Sequence, residues 1–460
     1  MNKGTTNLTQ GSILINSISL SWPMLVSYFL QVTVSLVDLK MVSVLGTEAV
    51  AAVGLSQQFI MLAFLIFSAV SVGASIYISQ FTGRNDIIKI RETIVETILL
   101  SIVIGFALTI LGLFSIDHLI KLMNVEHAVA KQCYDYTMIT FYFAPALLLN
   151  FTMISIFRST GDSKTPLYIM LLINVLNVIL NYVLINGIWI FPKLGVSGSA
   201  FGTSLSRLAG VIICFLILYK RELFIKVEGL RTVFRFSFYA PRFAPMRRIF
   251  TLGFPTALQD ISWSVAMITI SKVITFLPDS TKALSAFSIA FNLEAICFMP
   301  GIAFMQAATI MVGQHFGAKQ IDSAEKAGWL NTIFGSSFMA ILGLPLAIFP
   351  EFLIGFFTKD TAVISIGKPY LILMGFTQLF IGIKFILMGS LNGAGDTKVP
   401  LYAEVIEHWI FRIPPIIIAV IFLNYATTAI WGIMALSNVI NAVAMIFIFK
   451  NGYWKKIKLI

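Results

Sequence analysis

Long apolar runs partition the chain, and no other feature restricts its folding as much. Runs able to cross about 30 Å of hydrocarbon, each roughly 20 residues at 1.5 Å of rise, lie near 18–44, 52–80, 93–116, 131–157, 166–190, 196–219, 249–275, 284–313, 327–349, 363–391, 400–422 and 428–449. Within lipid every backbone N–H and C=O must be satisfied inside the segment, so each run is predicted to be a helix. The expectation is an all-α membrane protein with twelve transmembrane helices. Composition points the same way: 58% of the residues are hydrophobic and 12% charged, where soluble chains carry about 25% charged residues. The polar stretch 1–11 precedes the first run, and no small-residue cleavage site follows a short apolar core, so no removable signal peptide is expected.

The net charge of +11 acquires meaning only against the spans. With the N-terminus placed in the cytoplasm, 21 of the 32 Lys and Arg fall on that side and 8 on the other, while Arg207, Lys384 and Arg412 lie within spans. That bias predicts a multi-pass protein of the inner (cytoplasmic) cell membrane with both termini in the cytoplasm. Residues 220–248 hold eight of the basic side chains and are read as a cytoplasmic linker near anionic headgroups, with no nucleic-acid partner. His118, His127, His315 and His408, and Cys133, Cys214 and Cys297, show neither zinc spacing nor a disulfide framework. No Gly-rich phosphate loop, Gly-x-Ser-x-Gly or aspartate-rich motif pair occurs, so neither an enzyme nor an ATP-driven pump is expected, and no cofactor.

The chain also repeats itself. Gly161-Asp162-Ser163-Lys164-Thr165-Pro166-Leu167-Tyr168 recurs from Gly395 to Tyr402 with six of eight residues identical, at an offset of 234. The same offset pairs Gln80 with Gln314, Gly83 with Gly317 and Gly198 with Gly432, and Pro23 pairs with Pro255 at 232. Two parallel six-helix repeats follow: an N-terminal lobe over 1–219, the linker over 220–248, and a C-terminal lobe over 249–460. Gly161 and Gly395 suit a left-handed helix end and Pro166 and Pro400 the next first turn, so the repeated motif reads as a tight helix-loop-helix. Pro23 and Pro255 each remove a helical hydrogen bond and are candidate hinges.

Charges in mid-membrane are costly, so each one calls for a partner, a wet cavity or a function. Ser27, Gln31, Ser35 and Asp38 form one polar stripe on the first span. Asn174, Asn177 and Asn181 share a face of the fifth span, with Asn177 and Asn181 about 16 to 22 Å along it from Pro166. Asp38, Asn177, Asn181 and Thr203 are the predicted ion-coupling set, an oxygen-rich site for Na⁺ held chiefly by Asp38 and Asn177, or alternatively a proton site at Asp38. Gln31 in the first half, and Gln259, Asp260, Asn292, Glu294 and Arg412 in the second, are the substrate-cavity or second-lobe candidates. Glu404 and Glu407 are expected to be solvated or salt-bridged, Arg412 to pair with Asp260, Glu294 or Glu407, and Lys384 stands as an unpaired candidate.

These motifs together resemble the multidrug and toxic compound extrusion (MATE) family. The likeness is carried by Trp22-Pro23, Asp38, Val42 to Gly46, Ala51 to Leu55, Ser79 to Arg84, Arg158 to Pro166 and Leu194 to Gly198, then by Gly253 to Gln259, Val312 to Ala318 and Gly389 to Lys398. It implies twelve helices in two V-shaped lobes and cation-coupled (Na⁺ or H⁺) export of amphipathic, often cationic organic compounds by alternating access, from a monomer. Within the family the chain looks most like the DinF-like branch, because the acidic positions of the NorM-like branch on spans seven and ten correspond to Trp263 and Ile381. Relatives of the DinF-like branch can carry a carboxylate where this chain has Asn181, which leaves an oxygen site with half the charge. Lipid-linked oligosaccharide or precursor flippases of the same superfamily are the alternative reading.

Overall fold

A computed structural model describes residues 8–123, 126–221, 243–423 and 427–457, and every regular element among them is helical. Most of the 220–248 linker, residues 222–242, lies outside the described residues. The first half runs α1 (Ile13–Ser43), α2 (Thr47–Gly83), α3 (Ile87–Met123), α4 (His127–Tyr142), α5 (Ala144–Ser159), α6 (Lys164–Asn186) and α7 (Val196–Lys220). The second runs α8 (Phe243–Ile274), α9 (Ser280–Gly317), α10 (Ile321–Ile348), the short α11 (Pro350–Gly355), α12 (Thr361–Ala394), α13 (Lys398–Ile406), α14 (Ile413–Ile417) and α15 (Thr427–Asn451). Two π-helical segments, Glu407–Arg412 and Ile418–Phe422, flank α14.

Among the described residues ten helical stretches are long and apolar enough to span a membrane, and α4 with α5, bent by 56°, makes an eleventh. The twelfth is α8: its 32 residues are long enough, but Thr256, Gln259, Asp260, Ser262 and Ser264 dilute its apolar character. The chain is thus an all-α membrane protein of twelve spans in two repeats. The predicted single span over 131–157 is broken at Phe143, and Pro145 is the cause. Its ring displaces the carbonyl of Phe141 four residues earlier, and that freed oxygen accepts a 2.7 Å hydrogen bond from the Thr109 hydroxyl on α3.

The repeat is visible in packing as well as in sequence. In the second half α12 crosses α9 where Gly389 and Gly393 leave no room for a Cβ, which would come within 2.3 Å of the Met305 and Thr309 carbonyl oxygens. In the first half the residues 234 earlier make the same crossing with serines: Ser155 Oγ donates to Ser71 O at 3.0 Å and Ser159 Oγ to Ser75 Oγ at 2.8 Å. Small residues at four-residue spacing let membrane helices approach in both cases, by bare backbone in one and hydroxyl bridging in the other.

The described contacts divide the chain into two units, one holding residues 26–254 and the other 8–25 with 255–460. This division departs from the sequential lobes at two places, because α1 and α8 each change unit part-way along. The changes fall at Leu25 and Phe254, within two residues of Pro23 and Pro255. Ser17 ties the first turns of α1 to Asn331 at 2.6 Å. The start of α8 meets α2 at Gly253, where a Cβ would lie 1.7 Å from the Ala69 carbonyl.

The two copies of the Gly-Asp motif fold alike and differ in charge partners. Gly161 and Gly395 have φ of 87° and 95°. Each closes a helix end with paired bonds, Gly161 N to Arg158 O and Asp162 N to Phe157 O in one copy, Gly395 N to Asn392 O and Asp396 N to Leu391 O in the other. Asp162 then accepts from Lys164 N at 3.1 Å and Thr165 N at 2.9 Å and pairs with the Arg221 guanidinium, whereas Asp396 accepts from Val399 N at a longer 3.3 Å. Burial pushes the Asp162 carboxyl up, but the Thr165 donors and Arg221 outweigh it and hold the group below its ordinary value. At Asp396 burial prevails over the backbone donors and Lys398 and holds the group above it.

Asp162 therefore contributes stability that is complete above the unfolded-chain value near about 3.9 and is lost as pH falls through its lowered folded value; Asp396 behaves oppositely, favouring the fold at low pH and losing that contribution as pH rises through its raised value. At neutral pH Asp162→Ala is expected to cost about 1 to 3 kcal/mol through the lost cap and ion-pair donors, while Asp396→Asn leaves stability unchanged or raised. Thermal unfolding midpoints in detergent check this, and equal losses at the two positions would contradict it.

Candidate functional site

Four of the predicted residues come together in the first unit. Asn181 Nδ2 on α6 donates to Asp38 Oδ1 on α1 at 2.8 Å and to Asn177 Oδ1 at 3.3 Å, and Asn177 Nδ2 donates to Thr203 Oγ1 on α7 at 3.0 Å. The result is one chain of polar groups, carboxylate to amide to amide to hydroxyl, across three helices. Gly202 admits it: a Cβ there would stand 2.1 Å from Asn181 Oδ1. That Oδ1 is buried without a hydrogen-bond partner, so the cluster holds an unfilled acceptor next to its carboxylate. Tyr136 and Arg207 act electrostatically on Asp38, and the Arg207 guanidinium lies over the Phe151 ring at 5.7 Å. Along the α1 stripe Ser27 is buried, Asp38 half-buried, and Gln31 and Ser35 are exposed.

The second unit gathers a different set. Glu294 on α9 is buried, accepting from Tyr370 OH at 2.5 Å and Gln378 Nε2 at 3.2 Å. The Tyr370 ring is fixed by Phe287 and Trp431, the latter edge-on at 5.0 Å between centroids. Arg412 pairs with Glu407, one of its three expected partners, and Lys384, expected to be unpaired, shares that carboxylate with bonds of 2.9 and 2.8 Å. Asn441 also donates to Glu407, Asn438 Oδ1 accepts from Lys384 at 3.0 Å and Arg412 at 2.7 Å, and Ser437 accepts from Arg412 Nε at 2.8 Å. Glu404 and Glu407 are both buried, so the solvated option for them does not hold. Asp260 and Asn292 are exposed, and Asn292 bonds the Ser288 carbonyl of its own helix at 2.8 Å; Gln259 is buried with its Nε2 unpartnered.

Sequence reasoning missed Tyr370, Gln378, Asn438 and Asn441. Asn438 and Asn441 stand three apart on one helical face and carried a legible signal. The Glu407–Arg412 pair did not. Five α-helical steps leave two side chains about 140° apart, but the segment between them is a π-turn, whose i→i+5 bond brings them to one side. Pro414 and Pro415 remove the N–H groups that would close the preceding turn as α-helix.

The family model described as MatE matches residues 23–183 and 255–418, one segment in each repeat. A protein named probable multidrug resistance protein NorM, from Thermotoga maritima, is 27% identical over 95% of this chain and 92% of its own. A protein named FAD transporter, from Shewanella oneidensis, is 27% identical over 83% of this chain and 82% of its own. Among solved structures, the outward-facing conformation of a multidrug resistance MATE family transporter of the MOP superfamily superposes with a TM-score of 0.89 at 21% identity, covering 99% of this chain and all of that one.

The Glu407 cluster makes an asymmetric demand on substitutions. Lys384→Met or Arg412→Met leaves one cation balanced on Glu407 and is expected to be tolerated. Glu407→Gln strands two buried cations and is expected to cost about 3 to 5 kcal/mol. Unfolding midpoints of the three variants in detergent give the order, and a Glu407→Gln protein as stable as Lys384→Met would refute this reading of the cluster.

Proposed function

The chain belongs to the MatE family and is a membrane transporter rather than an enzyme; on that premise we propose that it is a cation-coupled antiporter of the inner membrane, both termini cytoplasmic, exporting amphipathic, often cationic organic compounds. The observation carrying the proposal is the Asp38–Asn181–Asn177–Thr203 chain with its unfilled Asn181 carbonyl. A half-buried carboxylate in a membrane span favours a counter-charge, and here the group bonded to it is neutral while Arg207 acts only through space. Uncharged oxygens around one carboxylate suit a monovalent cation: Asp38 supplies the charge, and Asn177, Thr203 and Asn181 supply dipoles. The Asn181 amide now points its donor at Asp38; a half-turn exchanges donor for acceptor within the same volume. The charged carboxylate is served by the N–H₂, and a protonated or cation-bound one by the carbonyl.

Ion and cargo need not touch in this scheme. Each must only prefer an opposite arrangement of the protein, because a ligand indifferent to both shifts neither. The DinF-like assignment rests on Trp263 and Ile381 standing at the positions where the NorM-like branch is acidic. In proteoliposomes loaded with cationic dyes, an inward Na⁺ or proton gradient should drive efflux, with a lipid-linked precursor as competing cargo; transport of the lipid alone would favour the flippase. Asp38→Asn should abolish gradient-driven efflux in a protein that still folds and inserts, since the amide retains size and hydrogen bonding but not the charge. Asn177→Ala and Asn181→Ala should raise the Na⁺ concentration needed for transport if Na⁺ is the ion, and shift the pH dependence if it is a proton. Wild-type pumping by Asp38→Asn would move the coupling site elsewhere.

A further inference from the structure

A crevice of about 200 Å³ separates α13 and its π-helical continuation from α15, all within the second unit. Tyr402, Ala403 and Ile406 stand on one wall and Ile440, Ala444 and Ile448 on the other, each set on one helical face. The two alanines leave the space, because the rest of the lining is bulky. Tyr402, Ile406 and Phe411 of that lining are also exposed, so the crevice opens at the surface of the spans, where the medium is hydrocarbon. Its floor is polar, since the buried Glu407 and Asn441 line it too.

Glu407 has nothing further to offer a ligand. Its Oε1 accepts from Lys384 and Arg412 and its Oε2 from Lys384 and Asn441, which fills the lone-pair positions of a carboxylate. Asn441 differs. The bond from its Nδ2 to Glu407 fixes which way the amide faces, and its buried Oδ1 has no hydrogen-bond partner. A buried water makes about three hydrogen bonds, more than this acceptor and the mostly apolar walls provide. We infer that the crevice binds uncharged compounds dissolved in the bilayer that carry one hydroxyl or N–H donor on an apolar body, the donor bonding Asn441 Oδ1 and the body lying between the two alanines. The ligand is neutral because a charge carried to this depth is costly and Glu407 is already matched by two cations. The added bond also polarises the Asn441 amide, so that its N–H₂ holds Glu407 more firmly.

Binding here is independent of the antiport reading and is measured without a gradient. Octanol carrying a diazirine on its chain is irradiated with the protein in liposomes, and the labelled peptides are mapped by mass spectrometry. Unlabelled octanol and its isomer heptyl methyl ether, which lacks the donor, compete at equal concentrations in the bilayer. In wild-type protein, label is expected on residues 399–411 and 440–448. Octanol should displace it about 5-fold more strongly than the ether, the size of one hydrogen bond to a buried acceptor. Ala444→Phe should fill the crevice and remove the label from both segments. Asn441→Leu should keep the label and lose the preference for octanol; if that variant does not fold, the wild-type competition and Ala444→Phe decide alone. Equal competition by alcohol and ether shows that hydrocarbon alone fills the crevice and overturns the inference, as does label that survives Ala444→Phe.

Discussion

Hydrocarbon offers no hydrogen bonds, and that single condition accounts for most of the architecture: the backbone must satisfy itself, and each interruption must be repaired locally. The interruptions are few and each has its remedy. Pro145 breaks the fourth span, and Thr109 reaches across from α3 to take the carbonyl released at Phe141. Pro414 and Pro415 interrupt the eleventh, and the backbone widens into π-turns on either side of them. The first repair only mends a bend. The second changes which side chains face inward and so creates the Glu407–Arg412 pair, which no regular helix over those residues would form.

The repeat fixes the frame and leaves the polar content of each half free. At the offset of 234, Asn177 corresponds to Phe411, Asn181 to Pro415, Thr203 to Ser437 and Arg207 to Asn441. The fifth and sixth spans of both halves thus carry inward polar groups, but with opposite electrostatics. The first half sets one carboxylate among neutral amides and a hydroxyl; the second sets a carboxylate between two cations and satisfies it with Asn441. A carboxylate already matched by resident cations has little left for a mobile ion, whereas Asp38 has only dipoles in contact. This contrast, one carboxylate bonded only to neutral groups against one shared by two cations, is the physical difference between the two polar clusters.

What could be read from the sequence follows the same physics. Apolar runs and the Gly-Asp repeat reported twelve spans and two halves because hydropathy and left-handed glycines are local properties. The Asp38, Asn177, Asn181 and Thr203 set was legible because its helices are regular there, so periodicity gives the facing side. Lys384 was misread as unpaired because its partner Glu407 stands on another helix, where local periodicity reports no contact, and Tyr370 was passed over because an aromatic residue in an apolar span announces nothing of its hydroxyl. Pro23 and Pro255 marked where α1 and α8 change unit, but α1 and α8 are continuous helices, and which neighbours each part of them meets depends on close approaches such as Gly253 against Ala69, not on local pattern.

That exchange of helix segments makes α1 and α8 common to both units. Asp38 stands on the part of α1 that belongs to the unit of residues 26–254, while Ser17, on the same continuous helix, is tied to Asn331 in the other. A helix is stiff along its axis except where a hydrogen bond is missing, and here one is missing at Pro23, two residues from the change of unit. Asp38 therefore stands on an element that both units contain, beyond the position where that element bends most easily. The same arrangement recurs in α8 at Pro255, so each repeat lends the other the first turns of its leading helix.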